Sequence, residues 1–162
     1  AFMPTPALSW RDEPGRTDEP WCAPLSYRRP HPPYLAPAPF HDMFDPAEVP
    51  DPVRHPTAAD EAAAHPFVAG ALTVVPSPAD ELDQRQLRAT YYGMIAEVDA
   101  QVGRLLDGLD ERGLRDDTIV VLTSDHGEQL GDHWLIEKLG FFDQSYRIPL
   151  IIRWPGMSCI SM

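Results

Sequence analysis

The prolines of this chain are not spread evenly along it. Seventeen of the nineteen lie at or before Pro78, and eight of the ten glycines lie after it. Proline fixes φ, removes a backbone donor and pushes the preceding residue out of the helical region. The first half is therefore denied long helices and central strands. Its best extended piece is Trp21 to Tyr27, bounded by Pro20 and Pro30, and Pro24 makes it an edge strand or an irregular one. Cys22 is expected there as a buried strand residue. From Arg28 to Pro56 the chain reads as a long, Pro-stiffened excursion with one helical turn around His41 to Phe44. Ala58 to Ala64 adds another turn before His65-Pro66 ends it. Loops this long in a compact domain usually carry function or belong to a larger body. Residues 1–20 read as an irregular leader and residues 157–162 as a tail.

The second half is a different kind of chain. Ser77 or Asp80 can cap a helix whose first turn carries Asp80, Glu81 and Asp83, where the positive helix end favours anions. Leu87, Tyr91, Met94, Val98, Val102, Leu105 and Leu109 then recur in steps of three and four, one continuous apolar face. Gly113 supplies the left-handed stop. Ile119 to Leu122 reads as a strand buried on both faces, and Ile148 to Trp154 as a second, closed by Pro155-Gly156. One long amphipathic helix followed by buried, parallel strands is the grammar of an α/β protein.

Charge and composition narrow the function classes. The 162 residues hold 25 acidic against 13 basic side chains, a net charge of −12. Nucleic-acid binding needs clustered Lys and Arg, so a nucleic-acid partner is not expected. No apolar run approaches the roughly 20 residues of a membrane helix, so no membrane partner is expected; Phe67 to Val75 is the nearest and is short. Two cysteines, Cys22 and Cys159, are too few for a disulfide framework or a Cys-based zinc site. The chain opens at Ala1-Phe2 without Met or signal region, so its true N-terminus is expected upstream, and the compartment stays open.

Function in open α/β sheets gathers beyond the carboxyl ends of strands. Here that position reads Thr123-Ser124-Asp125-His126-Gly127-Glu128. An adjacent carboxylate and imidazole can point two donors at one divalent ion; equally, Asp125 can cap the next turn with His126 packed beside it. The run continues through Gln129-Leu130-Gly131-Asp132-His133 to Lys138, the only lysine among thirteen basic residues. A compact ammonium at that place suits an anionic ligand, while a single lysine is also an ordinary surface charge.

The segment from Thr118 to Ile152, TIVVLTSDHGEQLGDHWLIEKLGFFDQSYRIPLII, resembles the C-terminal metal-site segment of the sulfatase family within the alkaline-phosphatase superfamily. It is most similar to the phosphonate monoester hydrolases, also described as phosphodiesterases, whose version runs S-D-H-G-E-x-x-G-D-H and then a lysine. Tyr91-Tyr92-Gly93 and Val98-Asp99 to Leu106 are similar to the helix leading into that strand. Ser26 to Tyr34 resembles the same subfamily's R-P-H-P-P-aromatic segment. The likeness runs from about Trp21 to Trp154, weakest over Asp51 to Ser77. It implies a fragment of one sulfatase-like catalytic domain over residues 21–156, with a Pro-rich part 21–78 and a helix–strand part 79–156.

Carried over residue by residue, the resemblance makes Asp125 and His126 ligands of one divalent metal ion, with Mn, Ca, Mg and Zn undistinguished. His31 becomes the histidine that contacts anionic oxygens or protonates the leaving group, and Lys138 the lysine that stabilises substrate charge. The substrate class implied is a small anionic ester, and a homo-oligomer is implied as well. His133 either lines the pocket or orients a metal ligand through its imidazole. Glu128, Asp132 and Asp143 read as acceptors that order the loop, Arg147 as a flank of the strand, and His41, His55 and His65 as loop residues.

The departures count equally. The family's formylglycine nucleophile is made from Cys or Ser in a C/S-x-P-x-R motif upstream of this segment. Cys22-Ala23-Pro24-Leu25-Ser26 has Ser where Arg is required, so no nucleophile is assigned in this chain and formylglycine is expected upstream of it. The parent enzyme would hydrolyse phosphonate monoesters, phosphodiesters or sulfate esters, the chain alone being inactive. An arylsulfatase is the near alternative, although many sulfatases carry Asn at the His126 position. A truncated, non-catalytic remnant or binding module is the alternative of another class.

Overall fold

The computed structural model of the protein describes residues 4–13 and 19–156. The chain divides into two compact units. One takes its described residues from Ala1–Met43, Tyr91–Val120 and Arg153–Met162, the other from Phe44–Thr90 and Val121–Ile152. Cys159 and the rest of the expected tail lie outside the described residues.

Helix α1 spans Pro4–Arg11, within the stretch expected to be irregular. Its end is tied down by Arg112, whose guanidinium bridges both carboxylate oxygens of Asp12 at 2.8 and 2.6 Å. Among its described residues the Pro-rich run that follows has no ladder. Trp21 to Tyr27 carries no regular structure, and Cys22 is exposed rather than buried in a strand. With Pro20, Pro24 and Pro30 removing donors at short intervals, nothing there can sustain a continuous edge. The single turn expected near His41 is present as a 3-10 turn, Phe40–Asp42.

The long helix α4 spans Glu81–Glu111. Asp80 caps it, its Oδ1 accepting from the N–H groups of Leu82 at 2.8 Å and Asp83 at 3.2 Å. Such a cap contributes about 1 kcal/mol. At the other end Gly113 adopts φ +66°, and two bonds close the turn: Gly113 N–H to Asp110 O at 3.0 Å and Leu114 N–H to Leu109 O at 2.9 Å. That pairing is a Schellman motif, which an L side chain at Gly113 would strain. Met94 is fully buried on the apolar stripe and Leu109 nearly so.

Between Thr57 and Val75 the second unit contains two helices where a single turn was expected. Helix α2, Ala58–Ala64, is capped by Thr57 through Asp60 N–H. Its chain does not then return to loop. Helix α3, Pro66–Val74, starts at once, with Pro66 in its first turn and His65 Nδ1 accepting from Phe67 N–H at 3.0 Å. Proline breaks a helix interior but suits the first turn, where its missing N–H has no intrahelical partner. Ala71 and Val75, at its end, form a core with Leu135, which is 0% exposed, and Leu72, Ile136, Leu139 and Phe142 pack against them. Backbone bonds from Ser77 N–H to Trp134 O and from Ile136 N–H to Val75 O fasten the two segments together.

Strands β1, Val120–Thr123, and β2, Leu150–Arg153, form a two-stranded sheet. Helices and strands together bear out the α/β class. Two details differ from expectation. Thr123 Oγ1, at the end of β1, donates to Pro149 O, just before β2, at 2.9 Å. The end of one strand thus adjoins the start of the other, so they run antiparallel rather than parallel. Nor are they buried: Val121 is 55% and Ile151 59% exposed. A strand is buried on both faces only when neighbours supply both layers, and this sheet has two strands. No helix among the described residues is long and apolar enough to cross a membrane.

Candidate active site

The loop from Ser124 to Tyr146 begins where β1 ends. Asp125 extends into solvent, and its Oδ1 accepts from His126 N–H at 3.1 Å. His126 is half-buried. Its Nδ1 lies 2.8 Å from Gly127 O, and because a carbonyl only accepts, Nδ1 carries the proton. In the neutral ring this places the lone pair on Nε2, the atom 3.8 Å from Asp125 Oδ2. The Asp125 carboxyl is held below its usual range, first by the hydrogen bond from its own backbone N–H and then, whenever the His126 ring is protonated, by its positive charge. His126 N–H and the charge of Lys138 act in the same sense.

That donor set fits part of a divalent-metal site. An ionised carboxylate and an unprotonated imidazole nitrogen can converge on one ion, and the His126 Nδ1–H bond to a carbonyl is the kind that orients a metal-binding ring. Among the described residues no group of three or more His, Cys, Asp or Glu side chains is gathered for a metal. Asp125 and His126 thus supply two positions and leave the others to donors of another kind or origin.

The loop is held by polar contacts as well as by the apolar core that Leu135, Ile136, Leu139 and Phe142 form with Ala71 and Val75. Gly127 N–H donates to Ser145 O at 2.8 Å and Glu128 N–H to Gln144 O at 3.0 Å. A Cβ at Gly127 would overlap Gln144 O, so only glycine fits between the metal-type pair and α5, Asp143–Tyr146. Farther along, Leu130, Gly131, His133, Trp134, Glu137, Gly140 and Phe141 all have positive φ. Non-glycine residues in that region cost of order 1–3 kcal/mol each and persist only where surroundings over-determine them. Here Asp132, 8% exposed, accepts from Val53 N–H at 2.9 Å and pairs with the buried Arg88 guanidinium. Arg88 also donates to Leu130 O at 2.7 Å and Pro50 O at 3.1 Å.

Of the residues expected at the site, Asp125 and His126 lie together, and the charge of Lys138 acts on the Asp125 carboxylate. His133 points elsewhere. Its Nδ1 is 2.8 Å from Glu61 Oε1, and its ring stacks on Phe142 with centroids 3.6 Å apart and planes 7° apart. Glu61, 3% exposed, also accepts from His55 N–H at 2.9 Å. Burial alone would raise its carboxyl, but the bonds from His55 and His133 outweigh it and hold it below the usual range. Asp132 orders the loop as expected, while Asp143 pairs with Arg147 on the surface. His31 belongs to the other unit. It is exposed, its Nδ1–H donates to Pro32 O at 2.9 Å, and nearby Arg29 reaches Leu35 O and Glu97.

Sequence reading passed over Glu61, Arg88, Gln129 and Ser145. Each is a polar residue fully or nearly buried, and no local pattern distinguishes such residues from solvated ones.

Comparisons with known proteins follow the same lines. The sulfatase family model matches residues 9–158. The multifunctional alkaline phosphatase superfamily protein PehA of Trinickia caryophylli is 42% identical over 156 residues, covering 89% of this chain and 30% of that protein. The choline-sulfatase of Rhizobium meliloti (strain 1021) is 32% identical over 149 residues, covering 91% and 29%. The crystal structure of the phosphonate monoester hydrolase of Agrobacterium radiobacter superposes with a TM-score of 0.89 at 42% identity, over 96% of this chain and 33% of that one. The chain spans about a third of the length of these relatives. Matched along nearly all its length, it belongs to the sulfatase family of the alkaline-phosphatase superfamily.

Proposed function

We propose that the polypeptide carrying this segment hydrolyses phosphonate monoesters and phosphodiesters, with sulfate esters as slower substrates. The observation that carries the reading is the pair after β1: Asp125 beside a His126 whose Nδ1–H is bonded to Gly127 O, so that Nε2 is the ring atom turned toward Asp125, with the charge of Lys138 acting on the Asp125 carboxylate. The phosphonate branch is preferred because relatives at 42% identity are a multifunctional alkaline phosphatase superfamily protein and a phosphonate monoester hydrolase.

On this reading Asp125 and His126 hold a divalent ion, which when bound polarises an ester oxygen as a Lewis acid. Lys138 neutralises a second anionic oxygen as charge develops. A cation about 4 Å from such an oxygen is worth roughly 4 kcal/mol at an effective dielectric near 20, enough to outweigh more distant, screened carboxylates of an acidic protein. His31 contacts substrate oxygens or gives its proton to the leaving group. The nucleophile is a formylglycine supplied by another part of the polypeptide, so residues 1–162 alone turn over none of these esters.

The test uses the intact gene product and a panel of aryl phosphonate, phosphodiester and sulfate esters. Native protein should hold metal and turn over the phosphorus esters fastest, and Asp125→Ala should lose both metal and turnover. Full metal content with normal turnover in Asp125→Ala would refute the site. Sulfate ester as the fastest substrate would refute the phosphonate preference.

A further inference from the structure

The residues on either side of Lys138 are both bonded to one buried residue, one through its backbone and one through its side chain. Gln129 is 1% exposed and lies three residues after His126. Its backbone N–H donates to Glu137 O at 2.8 Å, and its side-chain Nε2 donates to Leu139 O at 3.3 Å and to Ser145 Oγ at 2.7 Å. The residues immediately before and after Lys138 are thus both gripped by Gln129. Ser145, 2% exposed, returns its own carbonyl to Gly127 N–H, directly beside His126.

We propose that Gln129 is a positioning residue: its amide sets the Lys138 ammonium against the Asp125–His126 pair. Chemistry selects glutamine here. Leu139 O only accepts, so the group facing it must be an N–H donor. Glutamate would set a carboxylate against a carbonyl, and an apolar side chain would leave Leu139 O and Ser145 Oγ without this partner.

The proposal rests on the role of Lys138 given above, so its test has one arm that needs no turnover. In the intact, metal-loaded protein, lysines are reductively methylated with ¹³C, and the Lys138 signal is identified by its disappearance in Lys138→Arg. Gln129→Met, which keeps the volume, should move that signal to the position of a solvated lysine; Gln129→Glu and Ser145→Ala should move it the same way. An unmoved Lys138 signal in all three would overturn the proposal. The second arm is a double-mutant cycle. Gln129→Met should lower kcat about 10-fold at full metal content and add nothing to the loss in Lys138→Ala. Multiplying losses would overturn it. If the wild type hydrolyses no ester, the functional reading falls while the resonance arm still decides the grip.

Discussion

Two neighbouring regions of one unit invert the usual distribution of polarity. The loop after β1 hides Gln129, Asp132 and Ser145, each 8% exposed or less, while β1 and β2 hold Val121, Leu150, Ile151 and Ile152 more than half exposed. The difference lies in what each needs from outside itself. A buried polar group needs specific partners, and the loop finds them in Arg88, Val53, Glu61 and α5. An apolar strand needs whole layers laid over it, and a two-stranded sheet provides none. The site loop therefore finds its polar partners elsewhere in the same unit, while the sheet lacks apolar layers among the described residues.

The largest break in that comparison should come from Arg88→Ala. It strips the buried Asp132 carboxylate of its charge partner and frees Leu130 O and Pro50 O at the same stroke. Removing one member of a buried ion pair costs about 3–5 kcal/mol. Arg88→Met with Asp132→Leu should cost less than Arg88→Ala alone, since no unpaired charge remains. Urea unfolding of the three proteins measures this, and an Arg88→Ala loss under 1 kcal/mol would show the pair to be solvated.

Next in size is Lys138→Ala in the intact enzyme, where losing one preorganised charge-stabilising donor should lower kcat by about 10²-fold. Lys138→Arg should rescue poorly, because a planar fork does not replace a compact ammonium. Stability should barely move, since Lys138 is only half-buried. Normal kcat at full metal content in Lys138→Ala would remove it from the site.

Glu61 sharpens the comparison through pH. Its carboxyl sits below the ordinary value when folded, against burial, because His55 N–H and His133 hold the ionised form. A depressed acid stabilises the fold above its unfolded value of about 4.3, and that contribution fades as pH falls through the folded value. Glu61→Gln should cost about 1.5 kcal/mol near neutrality, the low end for hydrogen bonds to a charged group. The gap from wild type should close below about pH 4. A constant gap down to pH 3 would mean that the charge contributes nothing.

What could be read from the chain follows the same division. Helix α4 was legible because its cap, apolar stripe and terminal glycine are local signals that agree. The place of Asp125, His126 and Lys138 in the loop after a strand was legible because they fall in one short run. Helix α3 was not: Pro66 reads equally as a stop for α2 and a start for α3, and only the core around Leu135 decides. The partners of the loop were also out of reach. Arg88 meets Asp132 across 44 residues and Glu61 meets His133 across 72, with no periodicity to betray either. For the strands the sequence gives identity but not surroundings, so Ile119 to Leu122 read as buried and is not.

The smallest expected effect tests that last point. Ile151 is 59% exposed in β2, so Ile151→Thr in the 162-residue chain should change stability by no more than about 0.5 kcal/mol, the range of surface substitutions. Threonine keeps the β-branch and its strand preference, leaving only apolar burial to be lost. The relatives are about three times as long as this chain. In a polypeptide of that length whose further strands or helices cover the sheet, the same change replaces an ethyl group with a hydroxyl inside a core. It should then cost about 1–3 kcal/mol. Paired denaturation curves of the short and the long polypeptide measure the difference. Equal small losses in both would mean that this face of β2 stays in water whatever the length of the chain, and the exposed apolar strands would then be a property of the sheet itself.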